Sequence, residues 1–110
     1  MKCTRRTSAI GAVLVLCLAL PAWAQKGDPE AGRVKAATCM GCHGIKDYSM
    51  VYPTYHVPKL GGQHAAYISA ALKAYAKGNR DFATMHAQAA SLSEQDIADI
   101  AAFLSQAPKE

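Results

Sequence analysis

Apolar side chains recur at helical spacing in two stretches of this 110-residue chain. Between His64 and Lys77, Ile68, Ala71, Leu72 and Tyr75 stand at i, i+3, i+4 and i+7, one face of a helix, and Gly78 follows as a stop. After Ser93 the same spacing returns in Ile97, Ile100, Ala101 and Leu104. Ser93 stands as the N-cap of this last helix, with Asp96 three residues on. A further helix opens at Asp28-Pro29, a capping residue followed by proline at the first helical position, and runs to about Thr38. No segment alternates at period two, so a sheet is not expected. The predicted class is all-α, in one domain.

Between His43 and His64 the helical pattern lapses into GIKDYSMVYPTYHVPKLGGQ, whose prolines and paired glycines read as loop. A loop of about 20 residues is out of proportion to so small a domain unless it packs on something.

The first residues read as an export signal. Lys2, Arg5 and Arg6 precede an apolar run from Ile10 to Leu20, Pro21 breaks it, and Ala22-Trp23-Ala24 supplies a small-x-small cleavage site. The run is shorter than the roughly 20 residues a membrane-spanning helix needs. Cleavage after Ala24 is expected, which makes residues 1–24 a signal peptide and 25–110 an exported, periplasmic domain with no membrane span. Arg5-Arg6 is not followed by the apolar residues of a twin-arginine signal, and Leu16 before Cys17 is not the small residue lipid attachment would want.

Removing the signal changes the charge. The whole chain carries a formal +4, but three of its 12 Lys and Arg and none of its 8 Asp and Glu precede residue 25, leaving +1. The remaining basic residues are scattered, which excludes a nucleic-acid-binding protein. Cys3 and Cys17 leave as well, so Cys39 and Cys42 remain and there is no disulfide framework. A core this small commonly recruits a disulfide, a metal or a cofactor.

The pair lies in TCMGCHG, residues 38–44. Zinc would need a tetrahedron of four ligands, and the adjacent Cys42 and His43 are poorly placed to reach one ion, with His56, His64 or His86 as a fourth. A thiol–disulfide centre would stand at a helix start after a strand, whereas this motif follows a helix. A covalent haem satisfies every constraint. Cys39 and Cys42 can reach the two vinyl groups on one porphyrin edge, and His43 can turn its imidazole to the iron. The porphyrin also supplies the missing apolar mass and something for the long loop to pack on.

The chain resembles a class I c-type cytochrome, close to the small bacterial cytochrome c4/c553 group. CMGCHG at 39–44, VPKLGGQHAAYI at 57–68 and TMHAQAASLSEQDIADIAAFL at 84–104 carry the resemblance. The stretch Ile45–His56, with three tyrosines and Met50, departs from the shorter linkers of that group. The resemblance implies a helical domain wrapped around one covalent haem c, with His43 as proximal iron ligand and the Pro58 carbonyl as acceptor for its second nitrogen. Met85 takes the family's sixth-ligand position, with His86 as immediate rival and Met50 and His56 behind it. His/Met ligation raises the reduction potential and fills the position that oxygen would need. Leu60, Ile68, Leu72, Leu92, Ile97 and Ile100 are the candidates for the apolar haem pocket. Gly32 and Phe103 match the crossing of first and last helices. Lys46, Lys59, Lys73 and Lys77 either ring the haem edge or form an ordinary solvated face.

The implied function is single-electron transfer between redox partner proteins, without substrate chemistry of the chain's own. Two alternatives stand beside it. The chain would be a haem subunit of a larger oxidoreductase complex, or a haem enzyme or ligand sensor with an open iron site and His86 as distal acid–base group.

Overall fold

The computed structural model describes residues 26–52 and 54–108. The segment read as a signal peptide lies outside them. The chain runs α1 (Pro29–Lys35), α2 (Ala37–His43), β1 (Ser49–Val51), β2 (Thr54–His56), α3 (Ala65–Ala76), α4 (Ala83–Ala89) and α5 (Glu94–Gln106). The fold is the mostly helical one expected, with a small sheet added. Among the described residues no helix is long and apolar enough to cross a membrane.

Three helices begin or end where local chemistry directs. Asp28 caps α1 by accepting the Glu30 N–H at 2.9 Å, with Pro29 in the first turn. Ser93 and Asp96 form a reciprocal capping box on α5. Helix α3 is flanked by His64 and Lys77, and Gly78 beyond it takes φ +72°, which suits glycine.

Three features differ from the sequence expectation. The first helix does not continue to Thr38. It turns at Ala36, whose ψ of 3° leaves the helical range, and the cysteine motif starts a second short helix. Ala36 is fully buried at that joint, so α2 leaves α1 at a packed corner. The expected loop contains an antiparallel hairpin pairing Ser49 with His56, Met50 with Tyr55 and Val51 with Thr54. Three-residue strands are too short to show alternation in sequence. Helix α4 has seven residues and no side-chain cap, with Ala89 its one buried residue and Met85 half-buried, so its period is equally illegible.

The core is built on α1 crossing α5, where Gly32 does meet Phe103. A Cβ on Gly32 would lie 1.9 Å from the Asp99 carbonyl oxygen and 2.9 Å from the Phe103 Cβ, so this close approach admits no side chain. Gly27, just before α1, repeats the device against Ala98. The buried carboxylate of Asp99 then locks the crossing. It accepts the Asp28 N–H at 2.8 Å, the Lys35 ammonium at 2.6 Å and the Gln95 amide at 2.6 Å. Lys35 also reaches Asp96 at 2.8 Å, which couples the lock to the α5 capping box.

These partners hold both carboxyls below the usual range. The Asp28 backbone N–H is the main cause at Asp99, followed by Lys35 and Gln95. Lys35 is the main cause at Asp96, followed by Ser93. A depressed carboxyl stabilises the fold above its unfolded pKa and loses that contribution as pH falls through its folded pKa. Thermal unfolding is therefore expected to be insensitive to these two groups near neutrality and to move to lower temperature below about pH 4. Gly32→Ala forces the α1–α5 backbones apart, and denaturant titration is expected to show a loss of about 3 kcal/mol.

Candidate haem-binding cavity

The cysteine helix, the hairpin, the segment from Val57 to Gln63 and the inner faces of α3, α4 and α5 surround a cavity of about 450 Å3. That is within the range of cofactor sites. Its walls are largely apolar, with Ile68 and Leu72 from α3 and Ile100 and Leu104 from α5. All six residues expected at the site, Cys39, Cys42, His43, Pro58, Leu60 and Met85, line it. Leu92 and Ile97 do not; Ile97 is buried in the helical core, and Leu92 packs against that core.

Both cysteines come from α2 and are half-buried. Burial pushes the Cys39 thiol up, the reverse of the low pKa that activates a disulfide-exchanging cysteine. Among the described residues no group of three or more His, Cys, Asp and Glu side chains could hold a metal, which leaves the zinc alternative without a ligand set.

His43 closes α2, and its Nδ1 lies 2.6 Å from the Pro58 carbonyl oxygen. A carbonyl only accepts, so Nδ1 carries the hydrogen and Nε2 keeps the lone pair. The segment that supplies the carbonyl is itself fixed. The Val57 N–H donates to Tyr48 at 2.9 Å, and the Gly62 N–H donates to Leu104 at 2.9 Å. Met85 enters from α4, half-buried against the core.

The rivals for the sixth position separate. His86 does not line the cavity, and its Nδ1 lies 2.7 Å from the Tyr75 carbonyl oxygen. Met50 lies outside as well, with its sulfur taking the Tyr48 hydroxyl at 3.2 Å. His56 does line the cavity, and its Nδ1 stands 3.4 Å from the Ser49 hydroxyl. His64 is exposed at the head of α3. Of the four lysines, Lys59 lines the cavity, and Lys73 pairs with Glu94 instead.

Two contributions were missed in the sequence. The hairpin puts Tyr55 on the cavity wall, edge-on to Phe82 with centroids 4.8 Å apart, so the divergent loop does reach the site. Arg80 also lines the cavity, its guanidinium 4.7 Å from the Tyr75 ring centroid and 3.4 Å from the Tyr67 hydroxyl. Among the described residues Arg80 meets no carboxylate. A guanidinium on the wall of a largely apolar cavity that Lys59 also lines suits an apolar occupant bearing acid groups. The faint sequence signal for it was a basic residue two positions after the Gly78 stop.

The cytochrome c family model matches residues 30–108. The chain belongs to the cytochrome c family. It is 44% identical over 82 residues to cytochrome c-554(548) of Halomonas halodenitrificans, covering 72% of this chain and 95% of that protein. It is 41% identical over 86 residues to cytochrome c4 of Thiocapsa roseopersicina, covering 77% of this chain but 43% of that protein. The chain thus spans nearly all of the first relative and under half of the second. The crystal structure of reduced recombinant cytochrome c4 from Pseudomonas stutzeri superposes with a TM-score of 0.56 at 27% identity. That likeness covers 76% of this chain and 52% of the other.

The family carries haem c bound covalently through a cysteine pair, here Cys39 and Cys42. The residues present fit that group: paired thiols, a histidine with one nitrogen tied back, a thioether and a cation at one apolar cavity. Bound there, haem supplies a one-electron iron couple; the chain supplies burial, orientation and charge. Arg80 is the cation whose loss should be felt most. Arg80→Gln is expected to lower the midpoint potential by on the order of 30 mV, as read by redox titration, with Arg80→Lys recovering part of it.

Proposed function

We propose that this cytochrome is a periplasmic monohaem electron carrier, exported by residues 1–24 and working as the domain 25–110. His43 and Met85 are the residues that would hold its iron. It passes single electrons between larger redox proteins and performs no substrate chemistry of its own. The observation that carries this reading is the selection at the cavity. His43 and Met85 both line it, whereas His86 stands outside against the Tyr75 carbonyl.

Each residue has a definable part. Pro58 fixes the His43 tautomer and ring direction, and a bound carbonyl raises the basicity of the other nitrogen. Met85 occupies the position an external ligand would need and favours the ferrous state. Ile68, Leu72, Ile100 and Leu104 keep the surroundings apolar, which disfavours the extra charge of ferric iron. Electron transfer then requires little rearrangement, because every one of these groups is anchored in the fold. The partner meets the chain at a small patch and leaves again. The acid–base group that an enzyme reading would draw on, His86, stands outside the cavity, and the His56 on its wall has Nδ1 3.4 Å from the Ser49 hydroxyl.

The deciding experiment is an absorption spectrum of the ferric holoprotein, read for the weak long-wavelength band of methionine sulfur on iron. The band is expected, and Met85→Ala is expected to abolish it. Met85→His is expected to lower the midpoint potential by on the order of 200 mV. A low-spin spectrum lacking the band would transfer the sixth position to a histidine, and high-spin iron would favour the open-site enzyme or sensor.

A further inference from the structure

Reading Met85 as a ligand leaves the adjacent histidine without a part to play. We propose that His86 is a positioning residue, a strap from α4 to the end of α3 that keeps the Met85 thioether at the iron site. This rests on the Met85 ligation proposed above.

The bond itself is well defined. Its donor is the His86 Nδ1–H, 2.7 Å from the Tyr75 carbonyl oxygen, and a carbonyl demands that hydrogen whether the ring is neutral or charged. Tyr75 stands in the last turn of α3, where carbonyls lack helical partners and the helix presents its negative end. The same oxygen also takes the Gly78 N–H, at 3.1 Å, and a carbonyl has two lone pairs, so it can serve both donors. The post to which His86 is tied is rigid. Asn79 and Arg80 N–H groups both return to the Ala74 carbonyl, at 2.9 and 3.2 Å, and Arg80 stacks on the Tyr75 ring.

Helix α4 requires such an anchor. It has seven residues, its N-cap Phe82 offers no side-chain bond, and a helix so short is unstable on its own. Only Ala89 is buried along it, with Met85 half-buried. His86 follows Met85 directly, so the two side chains leave the helix about 100° apart. A fixed bond from His86 therefore sets both the rotation and the depth of the Met85 side chain. Packing at Ala89 restrains the far end alone.

A thioether binds ferric iron weakly, so its residence depends on how firmly the protein presents it. An external ligand can enter only when Met85 leaves. The strap should therefore appear in the rate of ligand entry more than in the resting structure.

The test is cyanide binding to ferric holoprotein by stopped flow, at cyanide concentrations where the rate is limited by departure of the sulfur. His86→Ala is expected to raise that limiting rate about five- to tenfold, the worth of one net hydrogen bond. His86→Asn places an amide N–H where Nδ1–H stood and is expected to return the rate to within about twofold of the parent. An unchanged rate in His86→Ala, in a protein whose ferric spectrum shows the sulfur band, overturns the strap and leaves Met85 ligation standing. Equal acceleration by Ala and Asn overturns it too, since that would be lost packing. Absence of the sulfur band from the parent protein overturns Met85 ligation itself, and the strap with it.

Discussion

Close backbone approach between α1 and α5 fixes where the other elements can go. Gly32 and Gly27 leave no room for a side chain against the α5 backbone, and that proximity lets one carboxylate, Asp99, bond to the Asp28 N–H, Lys35 and Gln95 together. Because α2 leaves α1 at the buried corner of Ala36, the cysteine motif inherits its place from this crossing. Because Ile100 and Leu104 lie on the other side of α5, the cavity wall inherits its place as well. A buried charge at such a joint is costly unless fully bonded, and here no buried side-chain polar atom among the described residues lacks a partner.

The cavity is assembled from pieces too short to be stable alone. Helices α2 and α4 have seven residues each and the strands have three, so each relies on contacts beyond itself. The bonds from His43 to Pro58 and from His86 to Tyr75 follow one scheme: a ring N–H on a short helix is tied to a carbonyl on another segment. The two histidines differ in where the rest of the ring lies, since His43 lines the cavity and His86 does not. Similar chemistry thus ties one ring at the cavity wall and the other outside it.

The divergent stretch 45–56 has a divided character. Tyr55 and His56 line the cavity, and Tyr55 meets Phe82 just before α4, so the hairpin links the cysteine side to the methionine side. Its tip is turned outward, with Tyr52 90% exposed. The sequence showed an excess of aromatic residues there without showing which would be inside, because a two-fold period cannot be read from three-residue strands.

What the sequence determined alone was local. The Cys-x-x-Cys-His spacing, the Asp28 and Ser93 caps and the helical faces of α3 and α5 each lie within a few residues, and each kept its predicted place. The resemblance to c-type cytochromes added Met85, Pro58 and the Gly32–Phe103 crossing, and the fold brings each into the expected neighbourhood. Tertiary structure decided between neighbours in the chain. Met85 and His86 are adjacent, and both are able to ligate iron; which one faces the cavity depends on the rotation of α4 against α3. Leu92 and Ile97 carry the same apolar signal as Leu60 and Ile100, yet only the latter two line the cavity. Arg80 reaches the cavity because the turn after α3 folds its guanidinium back onto Tyr67 and Tyr75 of that helix. Hydropathy and spacing record that a side chain is buried or can ligate, but its direction is set by contacts with segments distant in sequence.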